Sequence, residues 1–195
     1  RKARTAVERL DARIAFSMRQ IEASDFVIIA GADLLNEAPM AALAIRQASR
    51  KKAPVIVIDP RPVSLPMNFE HLPAAPDDIE HYLGALVRGS IESDVGQFGH
   101  DAAGFCGSLP RKCRDGSLQE RIESLALSLR ASRRPAIICG TDIVRESTPA
   151  FAADCALLLR HEIKEAGLFY ILQGAGAFGA ALLSSAQGPV FEDII

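Results

Sequence analysis

Asp25-Phe26-Val27-Ile28-Ile29-Ala30-Gly31-Ala32-Asp33-Leu34-Leu35-Asn36-Glu37-Ala38-Pro39 sets a short unbroken apolar run against a polar, Gly-punctuated ending, and about twenty residues later Val55-Ile56-Val57-Ile58-Asp59-Pro60-Arg61 repeats the arrangement. Continuous apolar runs of this length, closed by such punctuation, are how strands buried on both faces of a parallel sheet read. Between the two runs, Met40, Leu43, Ala44 and Ala48 recur at helical spacing beside Arg46, Gln47 and Arg50, so a helix over 37–52 is expected to cover one face of the sheet. The result is a strand–helix–strand unit with its loops at the carboxyl edge, where open α/β sheets bind ligands.

Outward from this unit, Val7, Leu10, Ile14, Phe16, Met18 and Ile21 among charges over 5–23 suit an amphipathic helix turning into an extended entry segment. The first two strands are expected at 25–31 and 54–59. A traverse over 61–76 then carries four prolines, which exclude both helix and central strand. Ile79, Leu83, Leu86 and Val87 mark a helix over 77–89, with Asp77 and Asp78 in its first turn, where carboxylates meet the positive end of the dipole. Residues 90–116, rich in Gly, Ser and Asp, read as a loop insertion that is either functional or a docking element. Ser117 and Glu120 then stand at capping-box spacing ahead of Ile122, Leu125 and Leu129. A third strand at 135–140, a helix at 149–165, a fourth strand at 168–172 and a last helix near 178–186 complete the pattern.

That order implies right-handed crossovers and a three-layer, mainly parallel α/β sheet of Rossmann-like type, with helices on both faces. Residues 1–195 read as a single domain. Both ends look cut from a longer polypeptide: Arg1 opens inside a helical pattern, and 191–195 read as the first turn of a helix with no stop signal.

Composition narrows the function classes. Apolar residues make up 49% and charged residues 24%, the balance of an ordinary globular chain rather than a disordered or fibrous one. With a net charge of −2, two Tyr, no Trp and no basic stripe, nucleic-acid binding has no support. The absence of an 18-residue apolar run predicts no membrane insertion, and the amino end is not a signal-peptide core, so an intracellular location is expected. The four cysteines form no CxxC pair. Cys139 and Cys155 lie in apolar patterns and are expected to be core thiols; Cys106 and Cys113 flank a loop over 107–112, where a structural metal site would lack two of the four ligands such sites use. No metal ligands are assigned.

Three places carry candidate binding residues. Gly174-x-Gly176-x-x-Gly179 follows a strand and opens a helix, the spacing that offers backbone amides and a helix dipole to a pyrophosphate, although it stands at the carboxyl end and equally suits a tight strand–helix turn. Asp33, Asn36 and Glu37 either hold ribose hydroxyls or cap the next helix. Asp59 stands where nucleotide-binding α/β folds place a ribose-accepting carboxylate, and Arg61 beside it suits a phosphate or a neighbouring domain's carboxylate. The four histidines are scattered, no GxSxG or HExxH occurs, and no catalytic residue is assigned.

The stretch over 24–39, the helix with Ile45-Arg46-Gln47-Ala48, and Val57-Ile58-Asp59-Pro60-Arg61 resemble the nucleotide-binding middle of molybdopterin oxidoreductases, the formate dehydrogenase and DMSO reductase type. Arg134-Pro135-Ala136-Ile137-Ile138-Cys139-Gly140-Thr141-Asp142-Ile143-Val144 and Gly174-Ala175-Gly176-Ala177-Phe178-Gly179-Ala180 stand in the same order as in that family. Within it, the chain is most similar to the large iron–sulfur subunit of NADH–quinone oxidoreductase, the respiratory complex I. The resemblance implies cofactor-facing positions at Gly31, Ala32, Asp33, Asp59, Arg61 and Asp78, with Gly174 and Gly176 on the last loop. Two departures matter. Asp33-Leu34 replaces the family's Asn-Pro, and Ala75-Pro76-Asp77-Asp78 replaces its Pro-Gly-Ser/Thr-Asp. Extra carboxylates near a multiply charged dinucleotide cost roughly 1–4 kcal/mol per close pair.

The resemblance therefore implies a respiratory subunit domain that supports electron transfer structurally, with no cofactor in this stretch and iron–sulfur clusters elsewhere in the parent chain. Its partners would be other subunits of a respiratory complex, and its location cytoplasmic, peripheral to the inner membrane through those subunits. Two alternatives stand beside it. One is the molybdopterin guanine dinucleotide-binding domain of an active molybdenum oxidoreductase such as a formate dehydrogenase. The other, suggested by 134–140, is a nucleotide-binding module like the central domain of thiamine-diphosphate enzymes.

Overall fold

Alternation along the central strand builds two cores at once. In β1 (Phe26–Ala30) every residue is buried, yet successive side chains go to opposite layers. Phe26, Ile28 and Ala30 join one apolar cluster, whereas Val27 and Ile29 join the other. The same alternation runs through β2 (Val55–Ile58) and β4 (Pro135–Gly140), which flank β1 with parallel registers Val27↔Val55 and Val27↔Ala136. A register slip of one residue would exchange the two cores, so burial on both faces pins the pairing.

The computed structural model describes residues 1–91, 99–163 and 165–183. Among these, five parallel strands lie in the order β3-β2-β1-β4-β5, with β3 at Glu70–Leu72 and β5 at Gly167–Ile171. On one face pack α2 (Met18–Glu22) and α4 (Pro39–Arg50); on the other pack α5 (Ile79–Ser90), α7 (Gln119–Ala131) and α8 (Thr148–Glu162). This is the three-layer α/β sheet expected. The remaining helices are α1 (Lys2–Arg9), α3 (Leu34–Glu37), α6 (His100–Ser108) and α9 (Ala177–Leu183). None of the helices among the described residues is long and apolar enough to cross a membrane.

Several local expectations change. The helix expected over 5–23 is two short helices, the second held by a capping box in which Ser17 accepts from the Gln20 amide and the Gln20 side chain accepts from the Ser17 amide. Between them the chain runs beside β5, with the Phe16 amide donating to the Leu168 carbonyl at 2.9 Å. The helix expected over 37–52 breaks at Ala38 (φ −150°, ψ 65°), because the ring of Pro39 keeps its preceding residue out of the helical region. The traverse contains a three-residue edge strand, β3, bounded by Pro66 and Pro73; an edge pairs on one side alone, so flanking prolines are tolerated.

Within 90–116, expected to be a loop insertion, the described part contains α6. Cys106 is buried, and the Phe105 ring meets Phe151 of α8 edge-on at 5.6 Å, so tertiary packing orders a segment whose Gly104 and Gly107 disfavour a helix. The capping box expected at Ser117 does not form: Asp115 accepts from the Ser117 amide at 2.9 Å and caps a 3-10 turn, Gly116–Leu118, ahead of α7. The helix turn expected at 191–195 and the end of the helix expected over 178–186 lie outside the described residues.

Candidate functional site

At the carboxyl ends of β1 and β2 the sheet brings together five of the residues singled out in the sequence: Gly31, Ala32, Asp33, Asp59 and Arg61. Two glycines let the chain turn there. Gly31 takes φ 61°, a conformation favouring glycine, and a Cβ on it would lie 2.2 Å from Val144 Cγ1. A Cβ on Gly140, at the end of β4, would lie 2.0 Å from the Gly31 carbonyl oxygen. The close approach that glycine allows at these two strand ends is thus filled by the protein itself. Ala32 is buried against the α4 core.

Asp59 is fully buried and its carboxylate is engaged within the chain. Arg61 donates Nε–H to Oδ1 and Nη2–H to Oδ2, both at 3.0 Å, and its backbone amide donates to Oδ1 at 2.9 Å. This fork-to-fork geometry is the strong form of the arginine–carboxylate pair. Glu37 Oε1 lies 3.6 Å from Arg61 Nη1 and accepts from the Asp33 amide at 3.0 Å. Asp33 caps α3 through the Asn36 amide at 3.3 Å and accepts from the Asn36 side chain at 2.7 Å. Those Asn36 bonds, with the Arg61 charge behind them, hold the Asp33 carboxyl below its ordinary 3.8; the three carboxylates in turn raise Arg61. One acceptor is left over: Glu37 Oε2 is buried without a hydrogen-bond partner among the described residues.

Of the two roles open to Asp33, ribose binding and capping, the geometry shows the cap. Asp59 presents no surface to solvent, and Arg61, rather than facing a phosphate, is turned onto Asp59. His71 Nε2 lies 2.9 Å from the Asp59 carbonyl oxygen, a contact across twelve residues that no local pattern announces.

The other assigned residues stand apart. Asp78 precedes α5 and pairs with Arg114, while its neighbour Ile79 packs near Gly31. Gly174 (φ 85°) and Gly176 lie beyond β5, two strand spacings from β1, on the order of 10 Å. Space around them is open, with nothing within 4 Å of a Cβ built on either. Between the ends of β4 and β5, a depression of about 370 Å³ is lined by Lys2, Thr141, Asp142, Glu146 and Gln173. Lys2 donates to the Asp142 carbonyl, and the Thr141 hydroxyl donates to the Ile171 carbonyl at 2.9 Å.

The start of α8 at this edge has one of the chain's own carboxylates beside it. Glu80 Oε1 accepts from the hydroxyls of Ser147 at 2.6 Å and Thr148 at 2.8 Å, at the positive end of α8. Asp77 sits 3.7 Å from Arg145. A phosphate arriving beside β1 and β2 would therefore meet Asp33, Glu37 and Asp59 with one arginine already committed among them. As arranged, these residues do not fit a phosphate-bearing dinucleotide.

Nucleophilic and metal chemistry find no constellation among the described residues. Burial pushes the Cys139 thiol up to about 12, and Cys155 is raised by the same cause. Both are core thiols, as expected. Among the described residues, no group of three or more His, Cys, Asp or Glu is arranged to hold a metal ion.

Comparison with known proteins places the chain. A solved structure, the formyltransferase/hydrolase complex (FhcABCD) from Methylorubrum extorquens in complex with methylofuran, contains a chain of similar fold: the TM-score is 0.54 at 15% identity, covering 96% of this chain and 49% of that one. This chain thus spans about half the length of that neighbour. No match is found among curated protein sequences. The sequence profile of the molybdopterin oxidoreductase family matches residues 4–185, nearly the whole length, and the chain belongs to that family.

Proposed function

We propose that the chain is a structural domain of a multi-subunit oxidoreductase of the NADH–quinone type, contributing architecture and docking while electrons pass through iron–sulfur clusters held elsewhere in the parent protein. One observation carries this reading: Asp59 is fully buried, with both carboxylate oxygens engaged by Arg61 and with Asp33 and Glu37 alongside. Opening that pair to a dinucleotide would strand a buried carboxylate and set the incoming phosphates against net negative charge. The loops at Gly31 and Asp59 keep the family's architecture and use it for internal packing. Such a domain would reach the inner membrane through its partner subunits. A multi-subunit assembly is also the setting of the structural neighbour, a formyltransferase/hydrolase complex, so a subunit role in an assembly of that second kind is the competing identity.

A second reading rests on Glu37 Oε2, the one buried side-chain acceptor without a partner among the described residues. A carboxylate oxygen accepts from hydroxyl or amino donors, so the nucleoside end of molybdopterin guanine dinucleotide would suit it better than the phosphates, as in an active molybdenum oxidoreductase such as a formate dehydrogenase.

The test is elemental molybdenum, oxidised-pterin fluorescence and a guanosine diphosphate titration on the full-length protein, purified with its partners from a host able to make the cofactor. The scaffold reading expects no stoichiometric molybdenum and no thermal shift with the nucleotide. Near-stoichiometric molybdenum, or a micromolar dissociation constant that weakens in Glu37→Gln, refutes it. The co-purifying subunits, iron–sulfur and NADH-oxidising or formyl-transferring, decide between the two assemblies.

A further inference from the structure

Away from the carboxyl edge, the stretch ahead of β3 has a strand's burial without a strand's partner. Over 62–69 the exposure alternates with period two: Val63, Leu65, Met67 and Phe69 pack against the α4-side core, while Pro62, Ser64, Pro66 and Asn68 face out. Among the described residues, 62–68 make no backbone–backbone hydrogen bond. Two of them are prolines, so five amides, at Val63, Ser64, Leu65, Met67 and Asn68, lack a backbone acceptor there. An extended segment with unpaired amides beside a sheet edge is a template for an added strand.

The charge beside this stretch that has no partner among the described residues has one sign. Arg46 and Arg50 stand one turn apart on the outer face of α4, which contains no Asp or Glu, and they line a depression of about 480 Å³ with Ser49, Pro66, Met67 and Asn68. Ser49 and Asn68 also line the adjoining depression, about 450 Å³, together with Lys52, Phe69 and Glu70. The two form one groove. Its one carboxylate, Glu70, is held by Arg121 at 2.9 Å. Among the described residues, the side chains of Arg46, Arg50 and Lys52 make no hydrogen bond or ion pair, whereas Arg61, Arg114, Arg121, Arg134 and Arg145 each have a carboxylate from this chain. Two like charges one turn apart with no acid on the helix are mildly unfavourable by themselves.

We propose that this groove, together with the extended stretch 63–65 that leads into it, docks an extended acidic segment of a partner protein, whose backbone pairs with residues 63–68 and whose carboxylates meet Arg46, Arg50 and Lys52. Charge complementarity selects the sign, and the free amides select an extended backbone. A single-stranded nucleic acid, the other polyanion of this shape, would want stacking platforms, and the groove's one aromatic side chain, Phe69, is turned toward the core. The inference concerns the amino edge of the sheet and stands whether or not a pterin is held at the other edge.

Amide hydrogen exchange on the full-length protein tests it, with a capped peptide of alternating glutamate and valine as probe, the same peptide carrying lysine for glutamate, and inorganic phosphate alone. The glutamate peptide is expected to slow exchange over 63–68 by roughly ten-fold at saturation. The lysine peptide and phosphate should leave those amides unchanged. In Arg46→Glu/Arg50→Glu, two exposed positions whose reversal should leave the circular dichroism spectrum intact, the protection should vanish. No protection by the glutamate peptide, equal protection by the lysine peptide, or protection that survives the charge reversal each overturns the proposal; slowing by phosphate alone does too, since it marks a small-oxyanion site.

Discussion

Replacing Arg61 by Met tests the closed state at the ends of β1 and β2 most directly. The substitution keeps most of the side chain's apolar stem and removes the guanidinium, leaving the fully buried Asp59 carboxylate with one donor, the backbone amide of residue 61 at 2.9 Å. Two charge-assisted hydrogen bonds at 3.0 Å are lost. Each such bond contributes about 1.5–3 kcal/mol net, and breaking a buried pair from one side costs about 3–5 kcal/mol. The Arg61 side chain is 34% exposed, so water entering the vacated space restores part of the solvation and lowers the expected loss to about 2–3 kcal/mol. Urea unfolding followed by circular dichroism should show that loss as a lower midpoint with an unchanged slope. Asp59→Asn/Arg61→Met should recover at least about 1 kcal/mol, because the neutral amide no longer leaves a charge buried, and the double-mutant cycle should show coupling of about 1.5 kcal/mol or more. A loss under about 1 kcal/mol with no coupling would mean that the guanidinium does not hold Asp59. Asp59 would then be available to an outside donor, and the scaffold reading would lose its support.

Two further outcomes follow from the same edge. The three atoms nearest a Cβ at Gly140 are all backbone, the Gly31 carbonyl oxygen at 2.0 Å, its carbon at 2.8 Å and Ala32 Cα at 3.1 Å, so Gly140→Ala should cost about 3 kcal/mol or more, whereas Gly176→Ala, in open space, should stay within about 0.5 kcal/mol; thermal unfolding of both variants checks the contrast. Asp33 has its folded pKa depressed below 3.8, chiefly by Asn36, so its contribution is fully present above about pH 4 and is lost as pH falls through the lower folded value; urea midpoints between about pH 5 and 2.5 should fall less steeply in Asn36→Ala than in the parent.

β1, β2 and β4 were legible because a strand buried on both faces must be apolar at every position, and such runs need no partner to be recognised; β5, half-buried at Phe169 and Tyr170, was legible from its apolar run. Phe26–Ala30 and Pro135–Gly140 are the clearest cases, buried from end to end. β3 was not legible. Its three residues, Glu70, His71 and Leu72, carry no pattern, and their strand state comes from pairing with Ile56, Val57 and Ile58. For α6 the decisive contact is Phe105 on Phe151, forty-six residues apart in sequence, and a propensity scan of a Gly-containing segment has no access to it.

At the candidate site the division is similar. Asp59 and Arg61 stood out in the sequence because a polar Asp-Pro-Arg ends an apolar run, and that was enough to place them at the ligand-side edge. Which way Arg61 turns was decided by the fold: Glu37 comes from a helix after β1 and Asp59 from the end of β2, and their convergence on one guanidinium requires β1 and β2 to be neighbours. Likewise, Gly31 and Gly140 each read alone as a strand ending, while the close approach that would put a Cβ on Gly140 2.0 Å from the Gly31 carbonyl oxygen exists because β4 pairs with β1 across more than a hundred residues of chain. Local periodicity and apolar runs follow from which faces a segment must bury, so the layers, the four long strands and the edge on which the polar loops gather are written in the order of residues along the chain. Charge pairing and glycine clearances depend on distances between segments remote in the chain, so the filling of the ends of β1 and β2 by the chain's own groups emerges only once the strands lie side by side.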